Sequence, residues 1–299
     1  IANIHTLSSV VATICFIPFT KVLIWLAEHT VRDKPGEEQD LSMPVLDERL
    51  LTSPAVAIQQ AQNAVEKMAA RAARNYRAAM PLLAGYKDDA AAVVNQREDL
   101  IDRMEVTLTN YLIKISDREL GEMESHRANS LLAFVTEVER IGDYAINVTE
   151  RAAEMRDKEL TFSDQAQREL QMLGDAIGEI IDLTVQAMHS GDAATAAQVE
   201  PLEETVDTIC ETLRTRHIQR LKDGKCQLES GIIFLDVLTN LERISDHCSN
   251  IAARLLGMES DSELDPHALK KAMHNGNTKG YDDALNQYRK KYSQVLAEG

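Results

Sequence analysis

A twelve-residue segment that occurs twice constrains the fold of this chain more than any other feature. Thr136–Asn147 returns 103 residues later as Thr239–Asn250, and the Thr, Glu, Arg, Ile, Asp and Asn of the first copy keep their places in the second. A fixed offset between chemically equivalent residues indicates an internal repeat in which each copy forms one structural unit. The sequence therefore predicts two equivalent units, each organised around one copy of the segment.

The composition and the spacing of apolar residues favour helices throughout this repeat. Only 13 glycines and 7 prolines interrupt 299 residues, and residues with high helix propensity dominate. Apolar side chains recur at helical spacing, as in Ile101, Met104 and Leu108, and they mark three long helices in each unit. We predict an all-α fold with two tandem three-helix bundle units, at 53–158 and 159–259, whose sequential helices pack antiparallel.

The amino-terminal segment is the most apolar part of the chain. Ile4–Ala27 carries Lys21 as its only charge after His5, and its length suits the roughly 20 residues that cross a bilayer. We predict a transmembrane helix at 1–31, with a buried or interfacial helix, or a re-entrant piece of a missing membrane domain, as the alternative. Basic residues that follow it place the chain after about residue 32 in the cytoplasm and the protein in the inner or plasma membrane.

The remaining segments are assigned as connections. Residues 32–52 read as a linker, and 260–299 as a carboxy-terminal helical extension with short helices at Pro266–His274 and Tyr281–Ala297. Because the first residue is isoleucine rather than methionine, we expect the chain to be a portion of a longer protein that carries a membrane domain.

Acidic pairs spaced four residues apart occur on the second and third helix of each unit. This spacing puts both carboxylates on one helix face, and antiparallel neighbours would bring the two pairs to a similar height. Hard cations prefer several oxygen ligands, which such a group of four carboxylates supplies. The candidate metal ligands are Glu98, Asp102, Glu139 and Asp143 in the first unit, and Glu203, Asp207, Glu242 and Asp246 in the second.

Two other interpretations of these eight acidic residues stay open. The chain holds 48 acidic residues, so carboxylate pairs at this spacing also arise by chance on solvated helix faces. Arg140 and Arg243 lie inside the motifs and offer a structural Glu–Arg network in place of a metal. Asn147 and Asn250 lie one turn further along and are candidates to add amide oxygens to a site.

Other function classes find no support in the sequence. A net charge of −16 argues against a general nucleic-acid binder. No Glu-x-x-His motif of a di-iron oxidase occurs, and neither a phosphate-binding Walker loop nor a nucleophile elbow is present. We therefore predict a protein that is not an enzyme.

The paired acidic motifs resemble those of PhoU-type domains, over roughly 53–258. The specific part is Glu-Arg-Ile-Gly-Asp at 139–143 together with Glu-Arg-Ile-Ser-Asp at 242–246. The resemblance implies clustered metal ions on the bundle surface, commonly iron, with manganese, magnesium, zinc and calcium left open. It also implies a role in regulating phosphate uptake.

The amino-terminal segment extends this resemblance. Asn-Ile-His-Thr-Leu at 3–7 and Phe-Ile-Pro-Phe at 16–19 resemble the last membrane helix of sodium/phosphate cotransporter family proteins. This implies the regulatory portion of a sodium-dependent inorganic phosphate transporter, whose partners are the membrane, its own missing transporter domain, sodium and phosphate. A homodimer stays open. The alternative is a stand-alone PhoU-like helical adaptor that regulates phosphate uptake or signalling through protein–protein contacts.

Overall fold

The computed structural model describes residues 42–259 and 280–297, and this part of the chain is helical with short connections. Pro54 is the first residue of the first helix. A backbone N–H at this position has no hydrogen-bond acceptor within the helix, so its absence in proline costs nothing. Gly191 ends the fourth with a φ of 65°, a conformation that favours glycine. The helices are α1 (Pro54–Ala79), α2 (Asp88–Ser116), α3 (Glu122–Asp157), α4 (Asp164–Ser190), α5 (Ala193–Ala196), α6 (Val199–Lys222), α7 (Leu228–Glu259) and α8 (Tyr281–Ala297).

The second unit contains one break that the apolar pattern does not predict. The sequence favours a continuous helix over Ala193–Leu221, whereas the structure ends the short α5 at Ala196 and begins α6 at Val199. Pro201 explains the break, because its ring lacks the N–H that would continue a helix through this position. Starting the helix at Val199 leaves Pro201 in the first turn, where no such bond is needed.

The long helices form two groups that pack against each other. α1, α2 and α3 contact one another in the first unit, and α4, α6 and α7 do so in the second. The most extensive contact between the units joins α3 to α7, and α1 also packs against α4. The described residues from Met43 onward form one compact unit. The prediction of an all-α helical bundle is confirmed for the described residues.

The last helix packs on the second unit. α8 contacts α6 and α4, and Lys291 Nζ lies 2.7 Å from Glu179 Oε2 on α4. The Tyr292 hydroxyl donates a hydrogen bond to the same carboxylate. This helix occupies the predicted range Tyr281–Ala297. At the other end, Glu48–Thr52 of the predicted linker forms a 3-10 turn.

The predicted transmembrane helix at Ile4–Ala27 and the predicted short helix at Pro266–His274 lie outside the described residues. Within 42–259 and 280–297, no helix combines the length and the apolar character needed to cross a membrane.

Candidate metal centre

The predicted ligands gather in two carboxylate triads, one in each unit. In the first, one carboxylate oxygen each from Glu98, Asp102 and Asp143 lies within 4.8 Å of the other two. We call this triad site one, and it joins α2 to α3. In the second, which we call site two and which joins α6 to α7, oxygens of three equivalent acids meet the same limit: Glu203, Asp207 and Asp246.

Crowding of carboxylates is most evident at site one. Burial, followed by the charge of Asp102, raises the pKa of Glu98 to about 7. Burial, followed by the charge of Asp143, likewise raises the pKa of Glu139 to about 7. Burial also raises the pKa of Asp143, against the opposing charge of Arg140. These carboxylates hold protons more tightly than free ones because they are partly buried and, secondly, because their negative charges lie close together.

Glu139 and Glu242 lie beside the triads rather than within them. The Glu139 carboxyl shares a hydrogen bond with Asp143, so it borders site one directly. Glu242 instead accepts two hydrogen bonds from the Arg214 guanidinium of α6, one of them at 3.3 Å. The two units therefore differ: the fourth acid of unit one shares a hydrogen bond with Asp143 and has the half-exposed Arg140, with Nε 3.6 Å from Glu139 Oε2, as a cationic neighbour, while the fourth acid of unit two is hydrogen-bonded to an arginine of the neighbouring helix.

The motif arginines take part in both sites, as the alternative of a Glu–Arg network proposes. Arg140 Nη1 lies 3.4 Å from Asp143 Oδ2, and Arg243 Nη1 lies 3.5 Å from Asp246 Oδ2. Both arginine side chains are more than half exposed, so solvent weakens these pairs. They reduce the charge of the triads without surrounding them.

The asparagines of the motifs do not join the triads. The Asn147 amide donates to Asn240 Oδ1 at 3.4 Å, and the Asn250 amide donates to Glu137 Oε2 at 3.2 Å. Both bonds connect α3 with α7. The two amides therefore hold the units together, and the prediction that they add oxygens to a site gains no support from their contacts.

Sequence reasoning missed two residues that shape this region. Arg214 follows Asp207 by two helical turns, so its place on the same face of α6 was readable from the spacing. Glu137 carries no local signal. It binds His247 Nδ1 at 2.6 Å only because α3 and α7 cross, and the sequence of one helix does not contain that information.

The residues present fit a hard cation. Both triads offer carboxylate oxygens alone, the donors that such ions prefer, and a cation would relieve the crowding of negative charge at site one. Zinc fits less well, because structural zinc sites favour cysteine and histidine, which neither triad includes. The assignment of the eight acids as metal ligands stays a prediction.

Known relatives of this chain carry names that concern phosphate transport. The chain is 20% identical over 201 residues to the phosphate-specific transport system accessory protein PhoU homolog 1 of Thermotoga maritima, covering 67% of this chain and 86% of that protein. It is 20% identical over 264 residues to YjbB of Salmonella typhimurium, named as a candidate inorganic phosphate export protein. That match covers 87% of this chain but 48% of YjbB, so the chain spans about half of that relative.

Solved structures share the fold. The crystal structure of PhoU from Pseudomonas aeruginosa matches with a TM-score of 0.64 and 21% identity, covering 71% of this chain and all of that one. The phosphate transport system regulatory protein PhoU of Streptococcus pneumoniae matches with a TM-score of 0.63 and 16% identity, over the same share of this chain.

The membrane localisation predicted from the sequence is wrong on these comparisons. It rested on the apolar segment Ile4–Ala27, which lies outside the described residues. The model of the PhoU domain family matches this chain within residues 65–255, which excludes that segment, and the relative from Thermotoga maritima is named as an accessory protein of a transport system.

The two segments that match the family model correspond to the two units of the repeat. The PhoU domain model matches residues 65–152 and 170–255, which together make up more than half of the chain. Each matched segment coincides with one three-helix unit and contains one carboxylate triad. The chain therefore belongs to the PhoU domain family.

Proposed function

We propose that this protein is a PhoU-like accessory protein that regulates phosphate transport, and that it binds cations at site one and site two. The observation that carries the proposal is the presence of a carboxylate triad at the equivalent place in both halves of a PhoU-type repeat. The name of the relative from Thermotoga maritima, an accessory protein of phosphate-specific transport, supports a regulatory rather than a catalytic role.

Each triad would hold a cation between the second and third helix of its unit. Glu98 and Asp102 supply oxygens from α2 while Asp143 supplies one from α3, so a bound ion would fix these two helices relative to each other. The ion would supply positive charge where the protein concentrates negative charge. Iron is the proposed metal by resemblance, and the same oxygens suit manganese, magnesium and calcium.

A second candidate function has its own support. The match to YjbB covers 87% of this chain, so the chain is also a candidate for the regulatory portion of a longer phosphate-transport protein. The sodium dependence predicted from the sequence would be a property of that longer transport protein. The name of YjbB does not mention sodium. The stand-alone adaptor has the stronger support, because the relative from Thermotoga maritima is covered over 86% of its own length. A homodimer stays a prediction.

The proposal is tested by phosphate uptake in the cell from which the chain comes. We would delete the gene and restore it as wild type or with Asp102, Asp143, Asp207 and Asp246 changed to Asn. A matched control carries Asp89→Asn and Glu150→Gln, exposed acids on the helices of site one. Uptake of radioactive phosphate should change on deletion and return with the wild type and the control, but not with the triad variant.

Two outcomes would count against the proposal in different ways. Uptake that is indifferent to deletion would contradict the role in phosphate transport. Full restoration by the triad variant would leave that role intact and contradict the contribution of the cation sites.

A further inference from the structure

The crossing of α3 and α7 brings equivalent residues of the two units into contact. Tyr144 and His247 occupy the same place in the two copies of the motif, 103 residues apart. Their rings stack with centroids 5.6 Å apart and planes inclined by 25°. Equivalent residues of two repeats touch each other only where the axis relating the repeats passes. The stack therefore marks the local two-fold axis between the units.

Contacts on either side of the stack follow the same symmetry. Asn250 donates to Glu137, while its equivalent Asn147 donates to Asn240, the equivalent of Glu137. As the residue number increases along α3 from 137 to 147, the number of the partner on α7 decreases from 250 to 240. The two helices are therefore antiparallel here. Of the two acceptors only Glu137 carries a charge. Its Oε2 also lies 2.6 Å from His247 Nδ1.

This contact is well placed to be rigid. The side chains of His247 and Glu137 are 18% and 17% exposed, so solvent competes weakly for their hydrogen bond. A ring fixed by stacking on one side and by a carboxylate on the other has little freedom to rotate. A shift of either helix at this point must therefore move the other.

Each ring directly follows a ligand of one triad. Tyr144 is next to Asp143 of site one, and His247 is next to Asp246 of site two. An adjustment of the backbone that draws Asp143 toward a cation also moves Tyr144. Through the stack the adjustment reaches His247, and with it the position of Asp246.

We infer that the Tyr144–His247 contact couples site one to site two, so that a cation bound at either site raises the affinity of the other. The inference rests on the proposed cation binding. The first ion fixes the third helix of its own unit, and the Tyr144–His247 contact then orders the third helix of the other unit, so the second ion binds to a triad whose third helix is already ordered. Such preorganisation gives positive cooperativity, and it must act equally in both directions.

The test measures Mn²⁺ binding to the full chain by titration calorimetry, after removal of metals with a chelator. Asp207→Asn with Asp246→Asn leaves site one alone, and Asp102→Asn with Asp143→Asn leaves site two alone. These variants give the affinity of each isolated site, and the wild type gives the affinity of the second ion. We expect the second ion to bind at least about fivefold more tightly than the same site in isolation, at the lower end of typical couplings.

Variants of the contact separate coupling from binding. His247→Ala should bring the coupling factor, which is the affinity for the second ion divided by the affinity of the same site in isolation, to within about twofold of one. Both sites should still bind Mn²⁺. If His247→Ala does not fold, Tyr144→Leu replaces it with the same expected result. Tyr144→Phe keeps the stacked ring and should keep the coupling. The matched control is His189→Ala, because His189 Nδ1 also binds a glutamate of the other unit, Glu66 at 2.9 Å, yet no triad residue adjoins it.

The outcomes distinguish this inference from the proposed function. Two ions that bind independently, or a coupling that His247→Ala and Tyr144→Leu leave unchanged, would overturn the inference and leave the cation sites standing. A wild type that binds no Mn²⁺ would contradict the sites and the coupling together.

Discussion

Glu139→Gln and Glu242→Gln should change stability in opposite directions, although the two residues are equivalent in the repeat. Glu139 lies among carboxylates, where burial and then the charge of Asp143 raise its pKa to about 7. Glu242 is paired with Arg214. Removing the charge of Glu139 relieves its repulsion by Asp143 and loses only a pair with the half-exposed Arg140, at 3.6 Å. Removing the charge of Glu242, in contrast, leaves the Arg214 guanidinium without its charged partner.

The magnitude for Glu139 follows from proton linkage. Its pKa in the folded protein lies above the ordinary value of 4.5, so the folded state holds the proton more tightly than the unfolded chain does. The stabilisation of the folded state by the proton on Glu139 is therefore complete when the pH is below the ordinary pKa of 4.5. It is lost as the pH rises to about 7 and beyond. The full shift would correspond to about 3 kcal/mol, and partial exposure reduces this to about 1–2 kcal/mol. Glu139→Gln should raise the free energy of unfolding by that amount at about pH 8.

The expected cost for Glu242 comes from a lost charge-assisted hydrogen bond. The Glu242 and Arg214 side chains are 27% and 26% exposed, so the remaining guanidinium stays partly hydrated. Glu242→Gln should lower the free energy of unfolding by about 1–3 kcal/mol at about pH 8.

The assay is urea unfolding followed by circular dichroism, in the presence of a chelator. At about pH 8 the two variants should lie on opposite sides of the wild type, and at about pH 4.5 the gain from Glu139→Gln should largely disappear. A destabilised Glu139→Gln protein at about pH 8, or a gain that persists in acid, would refute the account of charge crowding.

Three further predictions concern buried residues and can be measured by the same unfolding assay. Gly142→Ser should be better tolerated when combined with Ile101→Val than in the wild type, because a Cβ at Gly142 would lie 3.3 Å from Ile101 Cδ1, the atom that valine lacks; additive effects of the two substitutions would contradict this. Glu169→Gln should cost about 3–5 kcal/mol, since it leaves the buried Arg220 without the carboxylate that it binds at 2.8 Å, and a cost below about 1 kcal/mol would contradict a buried pair. Phe234→Ala should cost about 3–5 kcal/mol, because Phe234 is fully buried, and a smaller loss would show that the site collapses around the missing ring.

Much of the fold was readable from the sequence because its determinants are local. Helix-opening residues such as Pro54, stops such as Gly191 and apolar side chains at helical spacing define the long helices. The repeat then indicates that both halves have the same plan. The break before α6 was missed because Pro201 lies within an otherwise continuous helical pattern, and its effect depends on where the helix starts.

The candidate site was predictable in outline and not in detail. Spacing along α2 and α3 placed Glu98, Asp102 and Asp143 on facing sides, and the structure brings them together. Spacing does not show which arginine reaches which carboxylate, because that depends on how far neighbouring helices slide and rotate. Thr109 in the first unit has the place that Arg214 has in the second, so a symmetric repeat produces two unlike surroundings.

The units also compensate for each other in size. Gly142 packs on Ile101, whereas its equivalent Ser245 lies in the unit where Val206 takes the place of Ile101. By the symmetry of the repeat we expect the smaller valine to face Ser245, whose hydroxyl donates to the backbone oxygen of Glu242 at 2.9 Å. Such paired changes are visible only once the contact between the second and third helix is known.

The measurement that tests the cation sites most directly is the metal content of the purified full chain, without a histidine tag, by mass spectrometry. The comparison includes the variant with Asp102, Asp143, Asp207 and Asp246 changed to Asn, and the control with Asp89→Asn and Glu150→Gln. We predict near-stoichiometric iron or manganese in the wild type and the control, and its loss in a triad variant that circular dichroism shows to be helical. A wild type that stays metal-free after titration with iron and manganese, or a triad variant that keeps its metal, would contradict the account.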